Sequence, residues 1–245
     1  MPQGANKGKK YAYIWISLII LIFGVIVVPR IVERIKGNTI VENDRVSGVV
    51  LKDLDFLVNN GKKRRVPDFE FLNQDSILVS NKDLLGKVYV VDFFFTSCPT
   101  ICPIMTKNLK AVQQSIQDED FFITSFTIDP KRDTVSKLKA YAEGYNINTT
   151  NWNFLTGKKE DLYKLSNEGF YMYTQEDSTV AGGFEHSGLF ALVDKKGFLR
   201  SRTDKFGNPL IYYKGTITES QGVNDEGEAQ QITILKEDIK KLLAE

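Results

Sequence analysis

The sequence predicts an α/β fold: a central mixed sheet with helices on both faces, behind a single N-terminal membrane-spanning helix. Three observations carry this. Residues 88–95 read Val-Tyr-Val-Val-Asp-Phe-Phe-Phe, an almost unbroken apolar run of the kind found in a strand buried on both faces. Further strand-like runs alternate with helix-like stretches and end in a hairpin plus a helix, the order expected of a layered α/β sheet. Residues 11–29 run for nineteen positions without a charge.

That uncharged stretch would span roughly 28 Å as a helix, about one hydrocarbon core. Tyr11, Tyr13 and Trp15 sit at one end, where amphipathic rings prefer the membrane interface. A cleaved signal peptide would have a shorter apolar core and a small-residue cleavage site. Here Val27-Val28-Pro29-Arg30-Ile31 follows instead, which favours an uncleaved signal anchor. Lys7, Lys9 and Lys10 precede the span, while Arg30, Arg34 and Lys36 follow it, a slight bias to an inside N-terminus. The expected order is therefore a short cytoplasmic segment (1–10), a transmembrane anchor (11–29), a juxtamembrane stalk (30–65) and a folded domain (66–245). The domain would lie on the extracytoplasmic (periplasmic) side of an inner or plasma membrane, where thiols meet oxidants.

Composition adds little. Lys and Arg number 32 against 31 Asp and Glu, a net charge of +1, so no acidic or basic partner is implied and nucleic acid is not an expected ligand. Lys62-Lys63-Arg64-Arg65 reads as a solvated turn.

Within the domain, Phe69–Leu72 and Ile77–Val79 predict two short strands around Asn73-Gln74-Asp75-Ser76. Asn81 to Gly86 reads as a turn or short helix, and Val88–Phe95 as the central strand. Asp92 interrupts that run, either as a core-paired carboxylate or as a proton-handling group near the thiols. Phe121–Ile128 is a second strand. Asp133 or Thr134 can cap a helix over Val135–Gly144. Trp152–Leu155 predicts a strand and Gly157–Asn167 a helix. Leu189–Val193 and Phe198–Arg200 flank Asp194-Lys195-Lys196-Gly197, a hairpin signal. Thr203 to Glu228 reads as a polar excursion. Leu235, Ile239, Leu242 and Leu243 share one face of a closing helix over Ile232–Leu243.

The chemistry concentrates in Phe93-Phe94-Phe95-Thr96-Ser97-Cys98-Pro99-Thr100-Ile101-Cys102-Pro103, which holds both of the chain's cysteines. Pro103 suits the first turn of a helix, where its missing N–H has no partner in any case. Met105, Leu109, Val112 and Ile116 then form one apolar helical face. The thiols therefore fall at a helix N-terminus, whose positive dipole end favours thiolate. Thiolate is both a redox nucleophile and a soft ligand for copper(I). A structural disulfide is the alternative, but a bridge closing so short a loop would stabilise the fold little. His186, the only histidine, lies in Ala181-Gly182-Gly183-Phe184-Glu185-His186-Ser187-Gly188, just before a core strand. It is either structural or the third donor of an S₂N copper site.

Taken together, the Cys-Pro-x-x-Cys-Pro core (Cys98 to Pro103), Asp129-Pro130-Lys131-Arg132-Asp133-Thr134 and Glu185-His186-Ser187 resemble the Sco (SenC) proteins, over roughly residues 66–245 plus the anchor. The resemblance implies a thioredoxin-like fold and copper, Cu(I) or Cu(II), held by Cys98, Cys102 and His186. It also implies a metallochaperone role in maturing the dinuclear copper site of cytochrome c oxidase subunit II. Thr100, Phe94 and Glu185 stand where the family usually has Asp, Gly and Asp.

A second function is thiol–disulfide reduction of oxidase or cytochrome cysteines, with Cys98 and Cys102 as the redox-active pair: Cys98 would attack and Cys102 resolve. Against a general reductase stand the Cys-x-x-x-Cys spacing and the absence of proline from Lys131 to Asn208, where thioredoxins carry a cis-proline facing the dithiol. A non-catalytic assembly scaffold is the third reading.

Overall fold

The computed structural model describes residues 15–18, 21–25, 54–203 and 208–245. The chain divides into two units, Met1–Asp44 and Arg45–Glu245. In the first, residues 15–18 and 21–25 are helical, and Trp15, Leu21 and Phe23 are exposed. Among the described residues no helix is long and apolar enough to cross a membrane. The expected cytoplasmic segment 1–10, the rest of the expected span at 11–14, 19–20 and 26–29, and the expected stalk from 30 to 53 lie outside the described residues.

The second unit is built on a mixed sheet. Its middle strand is β6 (Val88–Phe94), with all seven residues buried. Side chains alternate sides along a strand, so complete burial requires cover on both faces. β6 runs parallel to β7 (Phe121–Thr127), and β7 parallel to β8 (Trp152–Leu155). On its other side β6 pairs antiparallel with β11 (Leu189–Val193), which pairs with β12 (Leu199–Ser201), which pairs with β1 (Asp55–Phe56). β13 (Tyr213–Lys214) joins β11 at Leu189 and Phe190. Smaller hairpins pair β2 (Val58–Asn59) with β3 (Lys62–Lys63), β4 (Glu70–Leu72) with β5 (Leu78–Ser80), and β9 (Thr174–Glu176) with β10 (Phe184–His186).

Neighbouring phenylalanines of β6 show the two covers. Phe94 packs on Tyr141, from the helix Val135–Gly144, with ring centroids 5.4 Å apart. Phe93 packs on Phe170 at 5.7 Å, from the opposite layer. On the Phe94 side, the helix Cys102–Ser115 (the cysteine helix) joins the Val135–Gly144 helix through Thr106 Oγ1 and Tyr141 Oη, 2.8 Å apart. Thr134 caps the Val135–Gly144 helix, its hydroxyl accepting from the Lys137 N–H.

Four sequence expectations change. Residues 54–65, read as the end of a stalk, belong to the folded unit: β1 completes the sheet, and Leu54 and Leu57 are buried in the core. The basic cluster there is not merely solvated. Arg64 donates to Tyr212 Oη and to the Gly169 carbonyl, both at 3.0 Å, and Lys63 lies 3.4 Å over the Phe56 ring. Two-residue strands are too short to carry a readable alternation, which is why composition alone hid them. The helix after β8 is α-helical only over Lys159–Lys164 and continues as a π-helical turn over Leu165–Phe170. The polar excursion from Thr203 contains β13, because Tyr213 is fully buried with its hydroxyl paired to Asp238.

The closing helix Ile232–Ala244 is held by charge as well as by its apolar face. Arg202 meets the Asp238 carboxylate in a fork, Nε to Oδ2 and Nη2 to Oδ1, both 2.7 Å. Both side chains are buried to within 1% exposure; Glu237 and Lys241 reach the pair from its more exposed side at 3.1 and 3.7 Å, but among the described residues each of the two is the other's only fully buried ionic partner. Replacing Asp238 by Ala is expected to cost roughly 3–5 kcal/mol in chemical denaturation, whereas the double change Arg202→Met with Asp238→Leu should cost clearly less. Equal losses would mean that the pair's charges are not the source of the penalty.

Candidate metal centre

β6 delivers the chain to the edge of the sheet, and the turn after it carries Cys98. The Cys98 N–H bonds back to the Phe95 carbonyl at 3.2 Å. The cysteine helix then starts at Cys102, with Pro103 in its first turn and no side-chain cap. The Cys102 N–H points instead at Cys98 Sγ, 3.5 Å away, so the sulfur occupies the place of a capping acceptor. Cys98 thus sits in the turn and Cys102 in the helix, and both are free thiols.

His186 arrives from a part of the chain 84 residues after Cys102. It ends β10, opposite Thr174 of β9, and is half-buried. Its Nε2 lies 3.2 Å from Cys102 Sγ and its Nδ1 3.3 Å from the Ser187 carbonyl. A proton on Nδ1 donated to that carbonyl leaves the Nε2 lone pair facing the sulfurs. Cys98, Cys102 and His186 each offer one donor atom, all within 4.8 Å of one another. The three residues singled out in the sequence therefore come together.

The hairpin bearing His186 is pressed onto the cysteine turn. Phe95 packs against Phe184 at 5.1 Å and edge-on to His186 at 5.8 Å. Gly182, at φ +90°, lies so close that a Cβ there would stand 2.9 Å from the Phe95 ring and 3.1 Å from Pro99 Cδ. Only glycine suits both that backbone and that space.

The two thiols differ. Hydrogen bonding with the Cys102 thiol, aided by His186, the Cys102 N–H and Thr100, draws the Cys98 thiol down to about 3 despite its burial. Burial, then the neighbouring Cys98, pushes the Cys102 thiol well above its ordinary range. The pair thus holds a ready thiolate at Cys98 and a proton at Cys102. A second proton-bearing group lies in the core. Burial pushes the Asp92 carboxyl up to about 7 against the bond it accepts from the Ser125 hydroxyl and the charge of His186. Ser125 in turn accepts from Trp152 Nε1 at 2.9 Å.

Asp133 is the residue whose part sequence reading missed. It was a candidate helix cap, a role that Thr134 takes. Fully buried, its carboxylate accepts from the Thr96 N–H at 3.0 Å, the Thr96 hydroxyl and the Thr127 hydroxyl at 2.6 Å. It ties the strand end before Cys98 to the loop after β7. The signal was present in the motif Asp129 to Thr134, but no local rule says which of its acids turns inward. Among the departures from the family pattern, Phe94 is buried against Tyr141 and Phe154, and Thr100 Oγ1 lies 3.6 Å from Cys98 Sγ. Glu185 is exposed.

A mixed sheet with a dithiol at the start of a helix, joined by an imidazole from the facing hairpin, defines a thioredoxin-like α/β protein with a soft three-donor centre. The chain belongs to the SCO1/SenC family, whose model matches residues 58–216. It is 44% identical over 139 residues to a SCO1 protein homolog of Bacillus subtilis, covering 54% of this chain and 69% of that protein. Among solved structures it is similar to a SCO1/SenC family lipoprotein of Bacillus anthracis, with TM-score 0.61, 32% identity, and 74% of this chain and 96% of that chain covered. It is also similar to BsSco, described as a member of the Sco family of cytochrome c oxidase assembly proteins with a disulfide switch. There the TM-score is 0.59 and the identity 28%, over 76% of this chain and 97% of that one.

Asp92 gives a pH test. Its folded value lies above the ordinary carboxylate value near 3.9. Between about pH 4 and 7 the folded protein keeps a proton that the unfolded chain has lost, so stability falls as pH rises through that window. Asp92→Asn, which cannot ionise, should therefore gain on the wild type by roughly 2–3 kcal/mol between pH 5 and pH 8 in denaturant titrations. A difference independent of pH would show that Asp92 ionises normally.

Proposed function

We propose that the chain is a membrane-anchored copper chaperone that carries copper on Cys98, Cys102 and His186. The observation that supports this most is the donor set itself: two cysteine sulfurs and an imidazole Nε2 within 4.8 Å of one another. Thiolates select soft Cu(I), and an added imidazole suits Cu(II) as well, so one site can hold both oxidation states. Cys98 is already disposed to be a thiolate, and binding would displace the proton of Cys102. The cargo would go to the dinuclear copper site of cytochrome c oxidase subunit II. Membership of the SCO1/SenC family and likeness to an oxidase assembly protein support that direction.

Residues 11–29 would be the anchor, and the domain would work on the extracytoplasmic side of an inner or plasma membrane. The nineteen uncharged positions and the aromatic residues at their start support this. One structural relative is described as a lipoprotein.

The wild-type chain should bind one copper, and Cys98→Ala or Cys102→Ala should abolish Cu(I) binding as followed by competition with a chromogenic chelator. His186→Ala should retain Cu(I) but lose most Cu(II), along with the sulfur-to-copper charge-transfer band. Undiminished copper after both cysteine changes would reject the proposal.

The difference between the two thiols also favours a second reading, thiol–disulfide reduction at oxidase or cytochrome cysteines. The low-lying Cys98 thiolate would attack a substrate disulfide, and Cys102, held four residues on, would displace the product thiol and close the Cys98–Cys102 bridge. Reductase turnover that survives His186→Ala but not either cysteine change would favour this role, and the two roles can coexist because copper delivery needs reduced target thiols.

A further inference from the structure

The copper reading requires that His186 and the cysteine pair, 84 residues apart, keep one separation. The contacts at the site itself include one sulfur–imidazole approach, the packing of Phe95 and the close fit of Gly182 on Pro99. A second tie lies further along the cysteine helix. Asn108 stands six residues after Cys102, about 9 Å along the axis, and is buried at 4% exposure. Its side-chain amide donates to two main-chain carbonyls, Gly215 at 2.9 Å and Ile217 at 3.1 Å. That uses both of its N–H groups.

The segment so gripped holds the histidine arm. The Gly215 N–H donates to the Gly188 carbonyl at 2.8 Å, and Gly188 is two residues beyond His186. Lys214 and Tyr213 pair with Leu189 and Phe190 at the start of β11. The two segments are close-packed where they meet: a Cβ on Gly188 would overlap the Thr216 side chain, and one on Gly215 would overlap the Phe190 ring. A continuous path therefore runs from Cys102 through its helix to Asn108, across to residues 215–217, back to Gly188 and on to His186. Each link is buried or close-packed, so little slack separates the two ends.

We propose that Asn108 is a positioning residue for the metal centre. By clasping residues 215–217 it fixes how far the His186 ring stands from the cysteine sulfurs. The assignment rests on the copper reading above. It gives a further reason for a polar side chain at a helical position that would otherwise bury a leucine: an apolar residue there would leave two buried carbonyls unpaired and the arm untied.

The clasp should matter more for Cu(II), which leans on the imidazole, than for Cu(I), which the thiolates can hold. In the full-length chain, Asn108→Ala is expected to lower Cu(II) affinity about tenfold while changing Cu(I) affinity by less than about threefold, a shift in the direction of His186→Ala. Asn108→Ser, which can keep one donor, should fall between, and it is the variant to read if the alanine change does not fold. In the metal-free protein, exchange of the Gly215 amide with solvent should rise about tenfold in Asn108→Ala. Gln113→Ala serves as the control: it strips the same cysteine helix of two hydrogen bonds, to the Asn148 carbonyl and to Asn151 Oδ1, both 2.7 Å, and should leave the Cu(II)/Cu(I) affinity ratio alone. An unchanged ratio in a folded Asn108 variant, or a shift of the same size in Gln113→Ala, would overturn the proposal. Should His186→Ala leave Cu(II) binding intact, the copper reading itself fails. The amide exchange then decides: wild-type exchange at Gly215 removes the clasp as well, and faster exchange retains it as the tie that holds the arm.

Discussion

The antiparallel pairing of β11 with β6 is the constraint on which the rest of the domain depends. β6 runs toward the cysteine turn, and because β11 runs the other way, its beginning lies where β6 ends. Register fixes this residue by residue, with Ala191 opposite Val91 and Val193 opposite Tyr89. Whatever immediately precedes β11 is therefore carried to the edge where the thiols sit. His186 is three residues before it. A ladder of main-chain hydrogen bonds and the complete burial of β6 bring two sulfurs and an imidazole to the same edge; side-chain contacts then set their separation.

Around that edge, buried polar groups do what apolar packing cannot, which is to fix direction. Asp133 accepts from a backbone N–H and two hydroxyls and so joins the strand end before Cys98 to the loop after β7. Asn108 joins the cysteine helix to residues 215–217. The Arg202–Asp238 fork, with Tyr213, joins the closing helix to the sheet beside β13. Each is satisfied by its partners, and each would be costly if one partner were lost, so a small number of polar contacts sets the relative placement of otherwise greasy layers.

Much of this was legible in the chain because long, strongly patterned segments announce themselves. The unbroken apolar run of β6, the cysteine helix with Pro103 at its start and the helix over Val135–Gly144 all appear close to their predicted bounds. The donor residues were legible because two cysteines and one histidine leave few choices. What was hidden depended on distant partners. β1 to β3 are two residues each and owe their strand character to what they pair with, β12 for β1 and each other for β2 and β3. Tyr213 reads as part of a polar stretch until Asp238 and β11 give its ring and hydroxyl a place. The inward turn of Asp133 follows from Thr96, 37 residues earlier. The contrast between the thiols follows from their unequal burial and shared hydrogen bonds, which spacing alone does not encode.

The π-helical turn over Leu165–Phe170 limits how the chain length can vary. It spends an additional residue within one turn, and the left-handed Tyr171 (φ 52°) then redirects the backbone toward β9. Deleting any single position there would tighten the coil, swing Phe170 by about 100° away from Phe93, and draw β9 back by one step. Strand sides alternate, so Thr174 would exchange its inward place for an outward one and the hairpin carrying His186 would lose its match. A change in chain length is better borne by a bend such as residues 218–230, much of it exposed, than by this short underwound segment, which must keep its count.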